Sequence, residues 1–199
     1  DTMLRHTEAV FRGSKTTKVI ADMPIHSYDN PNEALENAKR FRKAGAWAVK
    51  LEGAASTTLQ SVVAISSEMP VMGHVGLTPQ WLEENKVQGN NAESAQKILE
   101  QTLALQNAGC FAIVLECVPE SLAQKITSVL RVPTIGIGAG RHCKGQVLVL
   151  YDLLGLYGDF EPKFAKRFGR LDEDAKKAVG AFVREVQEGK FPEEKHVFK

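Results

Sequence analysis

Short apolar runs along this chain each end on a polar side chain that can take part in chemistry. Val19-Ile20-Ala21, for example, precedes Asp22, and Ile113-Val114-Leu115 precedes Glu116. The side chains that end these runs are Asp22, Lys50 with Glu52, His74, and Glu116. Runs of this length, separated by helix-length segments, predict buried strands of a parallel sheet. The carboxyl ends of such strands converge on one face when the sheet closes into a barrel, and active sites are built there.

The same pattern predicts six strands with helices between them. The strands fall near residues 18–22, 46–52, 70–75, 110–116, 133–138 and 146–151. Helices are predicted to begin at Asn30-Pro31, at Asn91 and at Pro119, where capping residues, first-turn prolines and acidic side chains mark helix starts. A C-terminal amphipathic helix runs from Leu171 and stops at Gly189, and residues 1–13 also have a helical pattern.

Alternating strands and helices predict an α/β fold with a mostly parallel sheet. Chemistry at four consecutive strand ends favours a closed (βα)8 TIM barrel over an open sheet, whose site lies at one switch point. A complete barrel needs about 250 residues, whereas this chain has 199. We therefore expect residues 1–199 to form a single barrel domain that supplies strands 3 to 8 and the C-terminal helix, with the first two βα units missing.

Composition and charge limit the classes of binding partner and the cellular locations that the sequence predicts. The net charge of +1 gives no electrostatic reason to expect a nucleic acid or an acidic membrane surface. Three cysteines without metal-ligand spacing indicate a reducing compartment, so a cytoplasmic location is expected. A mitochondrial location stays open, because a targeting segment could precede residue 1.

Asp22 and Glu52 are hard oxygen donors at the ends of neighbouring predicted strands. Mg²⁺ prefers one or two carboxylates together with waters and substrate oxygens, so the pair is a candidate magnesium site. The alternative is structural: each carboxylate caps a turn or pairs with a lysine.

Lys50 and Glu52 are two residues apart, so on a strand both side chains point to the same side. The lysine could bind the carboxylate of an anionic substrate, or form a Schiff base with a carbonyl. Neighbouring carboxylates favour the charged ammonium and hence carboxylate binding. A buried ion pair with Glu52 or Asp22 is the structural alternative.

Glu116 follows an apolar run, which favours a general base, although it could instead cap the helix that begins at Pro119. His74, between glycines, either lines the site or hydrogen-bonds backbone in the core.

The residues together predict metal-assisted removal of a proton next to the carbonyl of a small oxo acid, and formation or cleavage of a carbon–carbon bond.

Six ordered segments resemble the ketopantoate hydroxymethyltransferase family. They are Ala21-Asp22-Met23-Pro24, Val49-Lys50-Leu51-Glu52-Gly53, Gly73-His74-Val75-Gly76-Leu77-Thr78-Pro79-Gln80, Lys86-Val87-Gln88-Gly89, Val114-Leu115-Glu116-Cys117-Val118-Pro119 and Ile135-Gly136-Ile137-Gly138-Ala139-Gly140. The resemblance implies transfer of a hydroxymethyl group from 5,10-methylenetetrahydrofolate to 3-methyl-2-oxobutanoate, which gives 2-dehydropantoate for pantothenate biosynthesis.

The resemblance also implies a role for each site residue. Asp22 would bind both Mg²⁺ and substrate, Glu52 would be a second metal carboxylate, Lys50 would bind the substrate carboxylate, and Glu116 would accept the proton. Members of the family form homo-oligomers, commonly decamers.

One feature of the family is missing from this sequence. The family has a further aspartate and an adjoining serine on its second strand as metal and substrate ligands, and that strand has no counterpart here. Two alternatives to the transferase therefore stay open. One is a metal-dependent oxo-acid lyase of a related barrel family, and the other is a non-catalytic truncated barrel.

Overall fold

The computed structural model describes residues 1–81, 86–158 and 160–198, which form two compact units. The first unit, Asp1–Val147, contains the sheet and the helices that alternate with its strands. Its strands are β1 (Ile20–Asp22), β2 (Ala48–Glu52), β3 (Val71–Gly76), β4 (Ala112–Glu116), β5 (Thr134–Ile137) and β6 (Gly145–Gln146). Its helices are α1 (Thr2–Gly13), α2 (Pro31–Lys43), α3 (Ser56–Ser66), α4 (Ala92–Asn107) and α5 (Glu120–Val129).

All strand pairings in this sheet are parallel, and the strand order follows the chain from β1 to β6. Consecutive parallel neighbours require a crossover connection each time, and the intervening helices supply it. The predicted α/β fold with a parallel sheet is confirmed. Within the described residues, β1 and β6 are each paired on one side only, so the sheet is a six-stranded part of a barrel rather than a closed one.

Helix boundaries follow from local chemistry. The side chain of Asn30 accepts hydrogen bonds from the backbone N–H groups of Asn32 and Glu33, which caps α2 as predicted. Asn91 and Ser94 form a reciprocal capping box at the start of α4. The sequence left α3 unassigned, although its buried Val62 and Ile65 lie three residues apart as in an amphipathic helix.

The two faces of the sheet carry different side chains, because neighbours along a strand point to opposite sides. On the helix-facing side a large core packs around the strands, and its strand members include Val49, Leu51, Val71, Val75, Ile113 and Leu115. On the other face a smaller apolar cluster contains Met72, Ala112, Val114 and Ile137. Lys50, Glu52, His74 and Glu116 alternate with the helix-facing residues, so they belong to this second face.

The strand predicted near residues 146–151 is wrong in most of its length. Only Gly145–Gln146 pairs as a strand, and a short helix, α6 (Leu150–Leu154), begins soon afterwards. Pairing with β5 ends where the Val147 N–H donates to the carbonyl of Gly136. Val149 and Leu150 are exposed, so their apolar side chains do not fill a core as the prediction assumed.

The second unit, Leu148–Lys199, contains α6, the predicted C-terminal helix α7 (Leu171–Gln187) and a 3-10 turn (Glu194–His196). Helix α7 ends shortly before Gly189, whose positive φ of 67° suits glycine after a helix. Phe182 of α7 packs edge-to-face on Phe191, with 5.5 Å between ring centroids. In the described part of the chain, no helix combines the length and apolar character needed to cross a bilayer.

Candidate active site

The strand register brings the five predicted site residues to the carboxyl ends of β1 to β4. Asp22 pairs with Lys50 across β1 and β2, and Glu52 pairs with His74 across β2 and β3. On the next strand Glu116 pairs with Gly76, two residues beyond His74. Parallel pairing in this register stacks the side chains along one edge of the face that the helices leave uncovered.

Lys50 lies at the centre of this group. Its ammonium nitrogen is 3.3 Å from Oδ1 of Asp22, 3.7 Å from Oε1 of Glu52 and 3.2 Å from Nδ1 of His74. The Lys50 side chain is only 14% exposed, whereas that of Asp22 is 49% exposed. The two carboxylates neutralise the charge of the mostly buried ammonium and fix its position. The solvent-exposed side of the group is the side of Asp22. The ion pair predicted as the structural alternative for Lys50 is therefore present, with both Asp22 and Glu52.

Glu52 is held from two sides. Its Oε2 accepts a hydrogen bond of 3.1 Å from the backbone N–H of Gln80, and its Oε1 lies 3.5 Å from Nδ1 of His74. Burial of the carboxyl opposes its ionisation, but the His74 ring and the Gln80 N–H outweigh burial. The pKa of Glu52 therefore lies below its ordinary value, and the side chain is a carboxylate at neutral pH.

His74 connects the Lys50 and Glu52 side of the site with Glu116. Its side chain is 3% exposed, and Nε2 lies 3.1 Å from Oε2 of Glu116. The N–H direction does not align on that oxygen, so Nε2 has no hydrogen-bond partner within the described residues. Burial of the ring opposes its protonation, but the carboxylates of Glu116 and Glu52 outweigh burial, and the pKa of His74 is raised.

Backbone conformation on both sides of Glu116 fixes where this residue lies. Gly76 has a φ of +96°, and a Cβ at this position would clash with the carbonyl oxygen of Glu116. That carbonyl accepts a hydrogen bond of 2.8 Å from the Leu77 N–H. Cys117 has a φ of +49°, which is uncommon for a residue other than glycine, and its N–H donates to the carbonyl of Ile137. Close backbone approach therefore holds β3 and β4 together at the base of Glu116.

A second layer of residues, for which the sequence predicts no role, supports the site. The Tyr28 hydroxyl donates to Oε1 of Gln80 at 2.7 Å and lies 3.3 Å from Nε1 of Trp81. Gln80 Nε2 in turn donates to the carbonyl of Met23. The only sequence signal for this layer is that Gln80 follows Thr78-Pro79, a turn directly after a strand. The sequence does not show that this turn brings the Gln80 backbone to Glu52.

The donor set is compatible with a hard divalent cation, although it is small. Among residues 1–81, 86–158 and 160–198, no group of three or more His, Cys, Asp or Glu side chains is arranged to hold a metal ion. Asp22 presents a half-exposed carboxylate, and Glu52 lies on the neighbouring strand with both oxygens near donors. One direct carboxylate together with waters and substrate oxygens is the kind of coordination that Mg²⁺ accepts.

Comparison with known proteins places this geometry in a family. The family model described as ketopantoate hydroxymethyltransferase matches residues 1–194. A relative from Clostridium botulinum (strain Loch Maree / Type A3), named 3-methyl-2-oxobutanoate hydroxymethyltransferase, is 49% identical over 202 residues, which cover 99% of this chain and 74% of the relative. The chain belongs to the ketopantoate hydroxymethyltransferase family. The resemblance drawn from the six sequence segments is thereby confirmed, and the family is one of transferase enzymes.

Two solved structures share the fold of this ketopantoate hydroxymethyltransferase family member. A phosphonopyruvate hydrolase in complex with oxalate and Mg²⁺ has a TM-score of 0.57 and 15% identity, with 100% of this chain and 71% of that chain covered. A 2,3-dimethylmalate lyase, a PEP mutase/isocitrate lyase superfamily member, has a TM-score of 0.55 and 13% identity, covering 98% and 70%. At such low identity, these matches show a shared fold.

Proposed function

We propose that this chain transfers a hydroxymethyl group from 5,10-methylenetetrahydrofolate to 3-methyl-2-oxobutanoate, and so forms 2-dehydropantoate for pantothenate biosynthesis. Family membership over residues 1–194 supports the overall reaction. The observation that carries the mechanism is the convergence of Lys50, Glu116 and the carboxylates of Asp22 and Glu52 at one edge of the sheet. This edge offers a cationic group, a base and oxygen ligands within reach of one small oxo acid.

Lys50 is the proposed binding group for the substrate carboxylate. Its ammonium is mostly buried and already oriented by Asp22 and Glu52, so it needs little reorganisation to meet an anion. The adjacent carbonyl of the substrate then lies beside the two carboxylates, and C3 faces Glu116.

Glu116 is the proposed base. It takes the C3 proton, and the electrons of that C–H bond form the C2–C3 double bond while the carbonyl oxygen gains negative charge. Water adds to the one-carbon unit and both of its carbon–nitrogen bonds to the folate break, so the two water protons pass to the folate nitrogens and the carbon is released at the oxidation level of formaldehyde. C3 of the enolate attacks that carbon, and the alkoxide that forms takes the proton held by Glu116. The side chain of Glu116 is 18% exposed, so it reaches the open face of the sheet.

Asp22 and Glu52 are the residues that would hold Mg²⁺, Asp22 directly and Glu52 directly or through water. When bound, the cation would attract the negative charge that develops on the substrate carbonyl oxygen. Both carboxylates contact Lys50, so cation and ammonium share the same anionic environment.

The chain is further proposed to supply strands 3 to 8 of a single (βα)8 barrel. The unpaired sides of β1 and β6 within the described residues support this, since two more strands between them would remove both open edges. Assembly into a homo-oligomer, by analogy with the family, is part of the same proposal.

Proton exchange at C3 tests the function without folate. The protein, 3-methyl-2-oxobutanoate and D₂O are followed by NMR with and without Mg²⁺. We expect metal-stimulated exchange that Glu116→Gln abolishes and Glu120→Gln retains, because Glu120 pairs with Arg141 outside the site. Adding 5,10-methylenetetrahydrofolate should then give 2-dehydropantoate. A folded protein without exchange would contradict the proposal and favour a non-catalytic barrel.

A further inference from the structure

The imidazole of His74 lies between the group proposed to bind substrate and the group proposed to act as base. Nδ1 is 3.2 Å from Nζ of Lys50, and Nε2 is 3.1 Å from Oε2 of Glu116. The ring is almost completely buried on β3, one of the two middle strands of the sheet. The polar contacts of His74 therefore reach both Lys50 and Glu116.

The chemistry of lysine determines which nitrogen of the neutral ring carries the proton. A charged ammonium donates hydrogen bonds and accepts none, so the nitrogen that faces Lys50 must act as an acceptor. Nδ1 is that nitrogen, and Lys50 is nearer to it than Oε1 of Glu52 is, at 3.2 Å against 3.5 Å. Nε2 therefore carries a proton that faces the carboxylate of Glu116 in the neutral ring, and it also does so in the charged ring, where both nitrogens are protonated.

The contact between Nε2 and Glu116 has the distance of a hydrogen bond but not its alignment. A buried N–H without a hydrogen-bond partner is unfavourable, so a small rotation that directs the Nε2–H at Oε2 of Glu116 lowers the free energy. Glu116 is the more exposed of the two and can rotate, whereas the ring is fixed by the core. Hydrogen bonds between catalytic groups commonly tighten only when substrate binds.

We propose that His74 is a positioning residue for Glu116. Its Nε2–H holds Oε2 of the carboxylate, so that the other carboxylate oxygen points at the C3 proton of a substrate bound by Lys50. This inference rests on the proposed function and adds to it the residue that orients the base. His74 touches neither the reacting carbon nor the leaving proton in this role.

Two amide variants separate the two sides of the ring. The amide of asparagine occupies the region of Nδ1, and that of glutamine occupies the region of Nε2, so His74→Asn keeps a partner for Lys50 while His74→Gln keeps a donor for Glu116. In the C3 exchange assay we expect His74→Asn to lower kcat by about 100-fold with little change in the Kd for the oxo acid. His74→Gln should retain kcat within about 10-fold and weaken oxo-acid binding instead, since it loses the Lys50 contact.

The reverse ranking, or an equal loss of kcat in both variants at unchanged thermal stability, would overturn the proposal. Should the variants fail to fold, ring ¹⁵N chemical shifts of His74 in the unmodified protein decide the point. At a pH where the ring is neutral, we expect the proton on Nε2, and a proton on Nδ1 would contradict the assigned contact. If the unmodified protein exchanges no C3 proton, the proposed function fails, while the ring shifts still test the geometry.

Discussion

Nζ of Lys50 lies 3.3 Å from Oδ1 of Asp22, across a directly paired position of β1 and β2. This contact places a positive charge beside a carboxylate proposed as a metal ligand. The ammonium and a divalent cation therefore compete for the same negative charge, while both favour an anionic substrate.

Removing the positive charge of Lys50 should have opposite effects on the two ligands. We expect Lys50→Met to weaken binding of 3-methyl-2-oxobutanoate by about 10- to 100-fold, because a charge-assisted hydrogen bond is lost. Binding of Mg²⁺ alone should tighten, since Asp22 and Glu52 lose a cationic neighbour. Isothermal titration calorimetry measures both, and Lys39→Met, which removes an exposed ammonium on α2, is the matched control.

A different outcome would change the role of this lysine. If borohydride reduction in the presence of the oxo acid labels Lys50 covalently, the residue forms a Schiff base and the carboxylate-binding role is wrong. Equal losses of oxo-acid and folate binding would likewise argue against a contact specific to the oxo acid.

Gly76→Ala should lower the stability of the fold and displace Glu116, the proposed base. The φ of +96° is unfavourable for alanine, and the added Cβ would clash with the carbonyl oxygen of Glu116. We expect a loss of about 1–3 kcal/mol in the free energy of unfolding, measured with urea, and slower C3 exchange. Gly13→Ala is the control, because a Cβ there meets no atom within 4 Å and its φ is not positive. Similar effects of the two variants would show that the approach of Gly76 to Glu116 does not matter.

Tyr28→Phe tests the layer that supports Glu52. Loss of the hydroxyl leaves Oε1 of Gln80 and Nε1 of Trp81 without a shared partner, and the Tyr28 side chain is buried. We expect destabilisation by about 1–2 kcal/mol together with a change in tryptophan fluorescence. Tyr151→Phe, at a position 63% exposed, should change stability by less than about 0.5 kcal/mol. An unchanged urea midpoint for Tyr28→Phe would contradict the network.

Cys110 should make stability depend on pH above 9. Burial raises the pKa of this thiol from 9.0 to about 12. Between these values the unfolded chain loses the thiol proton and the folded chain keeps it, so the folded state loses about 1.4 kcal/mol of stability per pH unit as pH rises. Cys110→Ala should remove this contribution from the slope between pH 9 and 10.5, whereas Cys143→Ala should retain it. Parallel slopes for Cys110→Ala and the parent protein would contradict a buried thiol.

The alternation of side chains explains why much of the site could be predicted. Lys50 and Glu52 are two residues apart, and the structure places both on the face away from the helices, beside Asp22 and His74. Prediction failed near residues 146–151, where an apolar run lies at an edge of the sheet and stays exposed. The order of apolar residues in such a segment does not show whether a neighbouring strand pairs with it and buries it.

The sequence by itself determined the helix starts at Asn30 and Asn91, the parallel α/β fold and membership of the family, because capping and strand periodicity are local and the six segments are specific. Only the tertiary structure decided which groups meet. His74 contacts Lys50 and Glu116, which are 24 and 42 positions away along the chain, and the Gln80 backbone supports Glu52. Those contacts depend on the register between strands, which is set where the buried face of each strand packs in the core, so the pairing partners cannot be read from one strand alone.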